Sequence, residues 1–154
     1  MSSFDRGTQQ EAPSQISGVM TPTPRTVQPG DTLQAAGQAM DKRNVGVLPV
    51  CEGDRLIGLI TDRDIVIRSV SAGQNPRTAT VTDAMTTEPR TLSADASVVD
   101  ALRMMEEHQL RRVPVLDGQS KLVGIVPLGD LAAAGTPEAA EALEAISTPA
   151  EPDR

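Results

Sequence analysis

Apolar positions along the chain form runs of two kinds, and the runs recur in the same order twice. Leu33, Ala36 and Met40 stand three or four apart, the spacing that puts side chains on one face of a helix, and Val98, Ala101, Leu102 and Met105 do the same later on. A hydroxyl residue opens each run, Thr32 in the first and Ser97 in the second, where a side chain can cap a helix N-terminus. Continuous apolar stretches follow: residues 45–50 then 56–60, and residues 110–116 then 122–126. Their length suits strands, and the acidic, glycine-containing turns Glu52-Gly53-Asp54 and Asp117-Gly118-Gln119 join them as hairpins. A short strand is expected ahead of each helix, at Thr26-Val27 and Thr91-Leu92. A second helix is expected to start near residues 62–64 and again near Gly129-Asp130. The predicted order is β-α-β-β-α, twice.

The two halves keep a common register. Met20-Thr21 matches Met85-Thr86, Pro24-Arg25-Thr26 matches Pro89-Arg90-Thr91, Ala36 matches Ala101, Met40 matches Met105, and Pro49-Val50 matches Pro114-Val115, all at an offset of 65 residues. One residue is inserted in the hairpin turn. At the new offset of 66, Leu56-Ile57-Gly58 matches Leu122-Val123-Gly124 and Asp64 matches Asp130. A fixed period of this length marks a repeated structural unit. A unit of about 60 residues is marginal alone, because it buries too little of its unfolded surface, so the copies are expected to share one core. The resulting division is a disordered, polar 1–15, a first repeat at 16–73, a linker at 74–80, a second repeat at 81–134, and an acidic Ala/Glu/Pro-rich tail at 135–154. Within the tail, PEAAEALEAI reads as a short helix.

Composition narrows the function. With one Phe and neither Trp nor Tyr, the core must be aliphatic, and aromatic platforms for stacking bases are absent. A net charge of −7, concentrated in the tail, argues against DNA and against an anionic membrane surface. No apolar run is long enough to span a membrane, and the N-terminal residues lack the apolar core of a signal peptide. Cys51 is the single cysteine and cannot form an internal disulfide, which fits a reducing compartment; a soluble, cytoplasmic protein is expected. One histidine, His108, and one cysteine leave few routes to catalysis or metal binding, so neither an enzyme nor a metal site is expected. His108 reads as a residue at a helix C-terminus, and Met104 and Met105 as core or dimer-face residues.

Three features together carry a family resemblance: Met-Thr before the first strand, a hydrophobic-Pro-Val run in the second, and Gly-x-x-Thr-x-x-Asp leading out of the third, here Gly58 to Asp64. Residues 17–134 resemble a pair of CBS domains, a Bateman module. The stretches LITDRDIVIRSVSAG and MMEEHQLRRVPV are similar to those of stand-alone two-domain members of the hypoxic-response type. The resemblance implies an α+β fold in which two β-α-β-β-α repeats pack sheet to sheet about a pseudo-twofold axis. It also implies two clefts that in many members bind adenine nucleotides, frequent homodimerisation, and a regulatory rather than catalytic role.

Candidate ligand residues divide unequally between the copies. A carboxylate at a helix start can accept hydrogen bonds from a ribose diol, and a hydroxyl three residues earlier lies where free N–H groups favour phosphate. By spacing alone a plain cap, Thr61 or Asp62, on the helix at 64–70 fits better; the family pattern adds a ligand role for Thr61 and Asp64, with Arg63 between them. The second copy has Pro127 where the first has Thr61, so its Asp130 reads chiefly as a cap. Conversely, Arg111 and Arg112 occupy positions where family members carry a phosphate-binding basic pair, and the first copy has Gly46 and Val47 there. Ion pairing with Glu106, Glu107 or a dimer mate is the competing role for these arginines. Val45, Gly46, Leu48 and Pro49 would wall an aliphatic adenine slot or simply pack in the core, and Thr23, Pro24 and Arg25 would line the cleft. The expected function is a sensor that binds an adenosine-containing ligand of the AMP or ATP class in one composite cleft, with no required cofactor and an unidentified effector protein as partner. The alternative is a ligand-independent interaction or stress-response module.

Overall fold

The computed structural model describes residues 15–132. The expected disordered segment, save Gln15, and the expected tail helix lie outside these residues. Element order is a 3-10 turn at Ile16–Gly18, then β1 (Thr21–Pro22), α1 (Leu33–Arg43), β2 (Val47–Glu52), β3 (Arg55–Thr61), α2 (Asp62–Asp64) running into a π-helical turn at Ile65–Val70, and α3 (Val81–Ala84). There follow β4 (Thr86–Thr87), β5 (Leu92–Ser93), α4 (Val98–His108), β6 (Arg112–Leu116), β7 (Leu122–Pro127) and α5 (Leu128–Ala132). The fold is α+β, two matching repeats about a pseudo-twofold axis.

The two long helices form for the reasons their sequences suggest. Thr32 Oγ1 accepts the Ala35 N–H at 3.1 Å and Ser97 Oγ accepts the Asp100 N–H at 3.0 Å, so each helix starts on a side-chain cap. Both end on a left-handed residue, Asn44 and Gln109, which turns the chain towards the next strand. The buried faces are Leu33, Ala36 and Met40 in α1, and Val98, Ala101, Leu102 and Met105 in α4. The first strand of each hairpin, β2 or β6, begins two residues later than its apolar run, because the two residues after the left-handed cap are spent on the turn; β3 begins one residue earlier than its run and β7 with it. The helix expected after Asp64 is π-helical at Ile65–Val70, and Arg68 Nη1 there donates to the Met85 carbonyl at 2.9 Å.

Sheet topology is where the sequence was least informative. One sheet has the order β1-β7-β6-β5 and the other β2-β3-β4. Thus β1, near the start of the first repeat, pairs with β7 of the second (Thr21 with Ile125, Pro22 with Gly124). Reciprocally, β4 pairs with β3 of the first repeat (Thr86 with Leu59, Thr87 with Gly58). The segments ahead cross over too: the Ile16 N–H donates to the Ala96 carbonyl at 2.9 Å, and the Val81 N–H donates to the Asp31 carbonyl at 2.8 Å. Each repeat therefore lends its leading segment to the other.

This exchange corrects the expectation of one shared core. Two aliphatic clusters form. One holds Leu92, Val98, Leu102, Met105, Val113, Val115, Val126 and Leu131 of the second repeat, closed by Ile16 from the start of the first. The other holds Val27, Leu33, Met40, Leu48, Val50 and Ile60, closed by Val81 and Ala84 from the start of the second. The separation follows from geometry: each two-layer unit buries its own helix on its own sheet, and only the lent segment crosses. The strand expected at Thr26-Val27 is reduced to a single bridge between Val27 and Val50.

Gly58 and Gly124 make the crossing possible. A Cβ on Gly58 would lie 2.7 Å from the Thr86 carbonyl oxygen and 3.1 Å from Met85 Sδ. A Cβ on Gly124 would lie 2.5 Å from Met20 Sδ and 3.0 Å from the Thr21 oxygen. Gly58→Ala is accordingly expected to destabilise by about 2 kcal/mol or more, since backbone must move. Gly37→Ala, at an open position inside α1 with nothing within 4 Å, should stabilise by about 0.5–1 kcal/mol. Urea denaturation of both variants checks the pair; equal midpoints would contradict the close-approach argument.

Candidate functional site

A cavity of about 490 Å³ opens where the exchanged segment of the first repeat meets β2 and the end of β7. Its walls include Thr21 to Arg25, Arg43 to Pro49, Arg112, Ile125 and Pro127, so both repeats contribute. Val47, Leu48 and Pro49 are buried and give an aliphatic floor, while Val45 is 41 % exposed at the rim. Thr23 sits at φ 49°, a conformation a β-branched residue rarely adopts, and its counterpart Glu88 has φ 50°. The strain is held by the flanking ladder, where the Thr23 N–H donates to the Val123 carbonyl at 3.1 Å.

Three arginines, Arg25, Arg43 and Arg112, are among the residues lining this cavity, all three exposed, and no acidic residue lines it. Among the described residues the ion pairs within 4.0 Å are Arg103 with Asp100 and Lys121 with Asp54, so none of the three arginines is neutralised there. An aliphatic floor beside three arginines with no acidic partner among the described residues suits a ligand with an apolar body and an anionic group. The size falls in the range usual for small-molecule sites.

The structure gathers some of the expected residues and separates others. Thr23, Arg25, Val45, Gly46, Leu48, Pro49 and Arg112 line the cavity, whereas Thr61, Arg63, Asp64, Arg111 and Asp130 are not among its lining residues. The residues expected together in one composite site are thus not all at this cavity. The exchange of leading segments sets the first repeat's β2 opposite the second repeat's Pro127. By the repeat register Thr61 is the counterpart of Pro127, so a sibling cleft related by the twofold axis would set Thr61 beside residues 86–90 and 110–114, Arg111 and Arg112 included. Thr61 and Asp64 also form a reciprocal capping box: Thr61 Oγ1 accepts the Asp64 N–H at 2.9 Å and Asp64 Oδ2 accepts the Thr61 N–H at 3.0 Å. One oxygen of Asp64 is thereby committed to the backbone. Arg43 and Asn44 were missed by sequence reasoning. The signal for them was available, because a helix end followed directly by a ligand-facing strand must turn beside the cleft.

Near the site, Asp62 lies exposed at the start of α2. Its Oδ1 accepts the Arg63 N–H at 2.8 Å, and its Oδ2 would stand 3.1 Å from a Cβ on Gly46. A shallower recess of about 320 Å³, lined by Met40, Asp41, Asn44, Val45, Gly46 and Asp62, adjoins the main cavity through their three common residues. Among the described residues no three His, Cys, Asp or Glu side chains converge as a metal site would require. No helix among them is long and apolar enough to cross a membrane.

The comparisons with known proteins decide the family. Residues 16–71 and 81–136 each match the CBS domain. The chain belongs to the CBS-domain family. It is 43 % identical over 119 residues to the CBS domain-containing protein YhcV of Bacillus subtilis, covering 77 % of this chain and 84 % of that protein. Hypoxic response protein 1 of Mycobacterium tuberculosis is 47 % identical over 103 residues, covering 66 % of this chain and 71 % of that one. A crystal structure of Hypoxic Response Protein I with two coordinated zinc ions superposes with a TM-score of 0.72 at 41 % identity, covering 80 % of this chain and 100 % of that chain. CBSX2, a CBS-pair protein of Arabidopsis thaliana solved in complex with AMP, superposes with a TM-score of 0.68 at 26 % identity, covering 79 % of this chain and 96 % of that one. The CBS pair is a regulatory module, and the resemblance to the hypoxic-response type extends to sequence and fold alike.

Cys51 of this CBS pair lies buried at the end of β2, away from the cavity lining. Burial pushes its thiol pKa up, and the nearby Asp54 carboxylate adds to the rise. A raised folded value means stability that is complete below the unfolded thiol's pKa of about 8.5 and is lost as pH climbs through the folded value. Cys51 should react with thiol reagents at least tenfold more slowly in the native protein than in urea at pH 8, and Cys51→Ala should soften alkaline destabilisation. Alkylation at equal rates in both states would refute the assignment.

Proposed function

We propose that this CBS pair is a sensor whose cavity binds an adenosine-containing anion of the AMP or ATP class. The observation that carries the reading is that Arg25, Arg43 and Arg112 line one cavity together with the aliphatic Leu48 and Pro49, with contributions from both repeats. The AMP complex of CBSX2 supports the ligand class. Because both repeats wall the cavity, a ligand there bears on how the two exchanged segments sit. It acts by favouring one packing of the repeats, which requires unequal affinity for the two packings. Thr61, Arg63, Asp64 and Arg111 belong, on this reading, to the sibling cleft, and Asp130 remains a cap. No zinc is invoked, since the zinc ions belong to the hypoxic response structure.

AMP at millimolar concentration should raise the melting temperature, because a ligand that prefers the native state must stabilise it. Arg112→Ala should weaken AMP binding about tenfold or more by removing a charge-assisted contact. Calorimetry showing no AMP binding to the unmodified chain would overturn the reading.

A second reading, an interaction module without a ligand, draws on Pro127. This residue lines the cavity and supplies neither hydroxyl nor N–H. A homodimer fits either reading: Val66, Ile67 and Val70 on the π-helical turn are each more than half exposed. Native mass spectrometry of freshly purified protein should show a dimer, and an accompanying nucleotide mass under the first reading only. A stable monomer would remove the dimer from both.

A further inference from the structure

The two repeats differ in charge at one tightly defined place beside the cavity. The Asp62 N–H donates to the Gly46 carbonyl at 3.0 Å in the first repeat, and the Leu128 N–H donates to the Arg111 carbonyl at 2.7 Å in the second. These backbone bonds are symmetry equivalents, so Gly46 with Asp62 corresponds to Arg111 with Leu128. One pair carries a negative charge and the other a positive charge. Asp41 has the acidic counterpart Glu106, so it does not contribute to the contrast.

Within the first repeat the glycine and the acid are coupled. A Cβ on Gly46 would press on Asp62 Oδ2 at 3.1 Å, so a larger residue there would have to displace the carboxylate. Among the described residues Asp62 has no basic partner within ion-pair distance. Gly46 lines both the main cavity and the adjoining recess, and Asp62 lines the recess. The carboxylate therefore lines a recess that shares Asn44, Val45 and Gly46 with the cavity to which the three arginines contribute.

Building on the proposed nucleotide reading, we infer that Asp62 is a specificity residue that caps the anionic charge this cavity accepts, selecting a nucleoside monophosphate over a triphosphate. Each added phosphate increases repulsion from the Asp62 carboxylate, while the arginine set stays the same size. Replacing the carboxylate by an amide of the same shape removes the repulsion and can still accept the Arg63 N–H.

The test is calorimetric titration of the full chain with AMP and with ATP, both metal-free at pH 8, where ATP carries about two more negative charges. In Asp62→Asn the affinity for ATP should rise at least about threefold more than that for AMP, and the gain should shrink in 0.5 M salt, as screening of an exposed charge requires. Asp62→Ser provides a second neutral variant with the same expected direction. An AMP-to-ATP preference unchanged in both variants would overturn the inference while leaving the cavity reading intact. Absence of AMP binding to the unmodified chain would overturn both.

Discussion

Two sulfur-on-glycine contacts hold this molecule in its arrangement. Met20 lies on Gly124 and Met85 lies on Gly58, and at both places a strand from one repeat rests on the bare backbone of the other. Because a side chain at either glycine would intrude on that strand, the crossing depends on the absence of a Cβ. Everything else follows from the crossing. The short strands β1 and β4 complete the opposite sheets, Ile16 and Val81 close the opposite cores, and Arg68 fastens the π-helical turn to the Ala84 and Met85 carbonyls inside the second crossing segment. Two units too small to be comfortable alone are thereby tied into one body, although each keeps its own aliphatic core.

The same crossing builds the cavity. It brings residues 21–25 of the first repeat alongside β7 of the second, so the floor comes from one copy and part of the rim from the other. Arg112 reaches the cavity only because of this. A position at the start of β6 would otherwise serve its own repeat alone. The strained Thr23 and Glu88 sit at equivalent bends just past the crossing strands, where the chain must leave the borrowed sheet and return to its own. A module made in this way couples ligand and architecture directly, since what occupies the cavity touches the lent segment.

Much of this was legible in the chain itself. The 3.6-residue spacing of Leu33, Ala36 and Met40, the caps Thr32 and Ser97, and the acidic glycine turns are local signals, and the structure places α1, α4 and both hairpins accordingly. Thr21–Pro22 and Thr86–Thr87 were not legible as strands. Two residues carry no periodicity, and their partners lie about a hundred residues away in one case and about thirty in the other. The site divided in the same way. Val45, Gly46, Leu48, Pro49, Thr23 and Arg25 were readable as one wall and Arg112 as a contribution from the other copy, but Ile125 and Pro127 were not read as facing that wall, because sequence alignment shows which positions are equivalent and not which are opposite.

The sequence by itself determined the repeat, the local elements, the aliphatic character of both cores and the family. Each of these rests on local spacing or on direct comparison of residues. Tertiary structure alone decided that the leading segments cross, that two cores form instead of one, and that Arg25, Arg43 and Arg112 share a cavity with Pro127 while Thr61 and Asp64 cap a helix. The physical reason is that a pseudo-twofold operation acts on positions in space. A pattern of residue types can reveal that such an axis relates the copies, but the close approach of Met20 and Met85 to two bare glycines selects which surfaces the axis brings together.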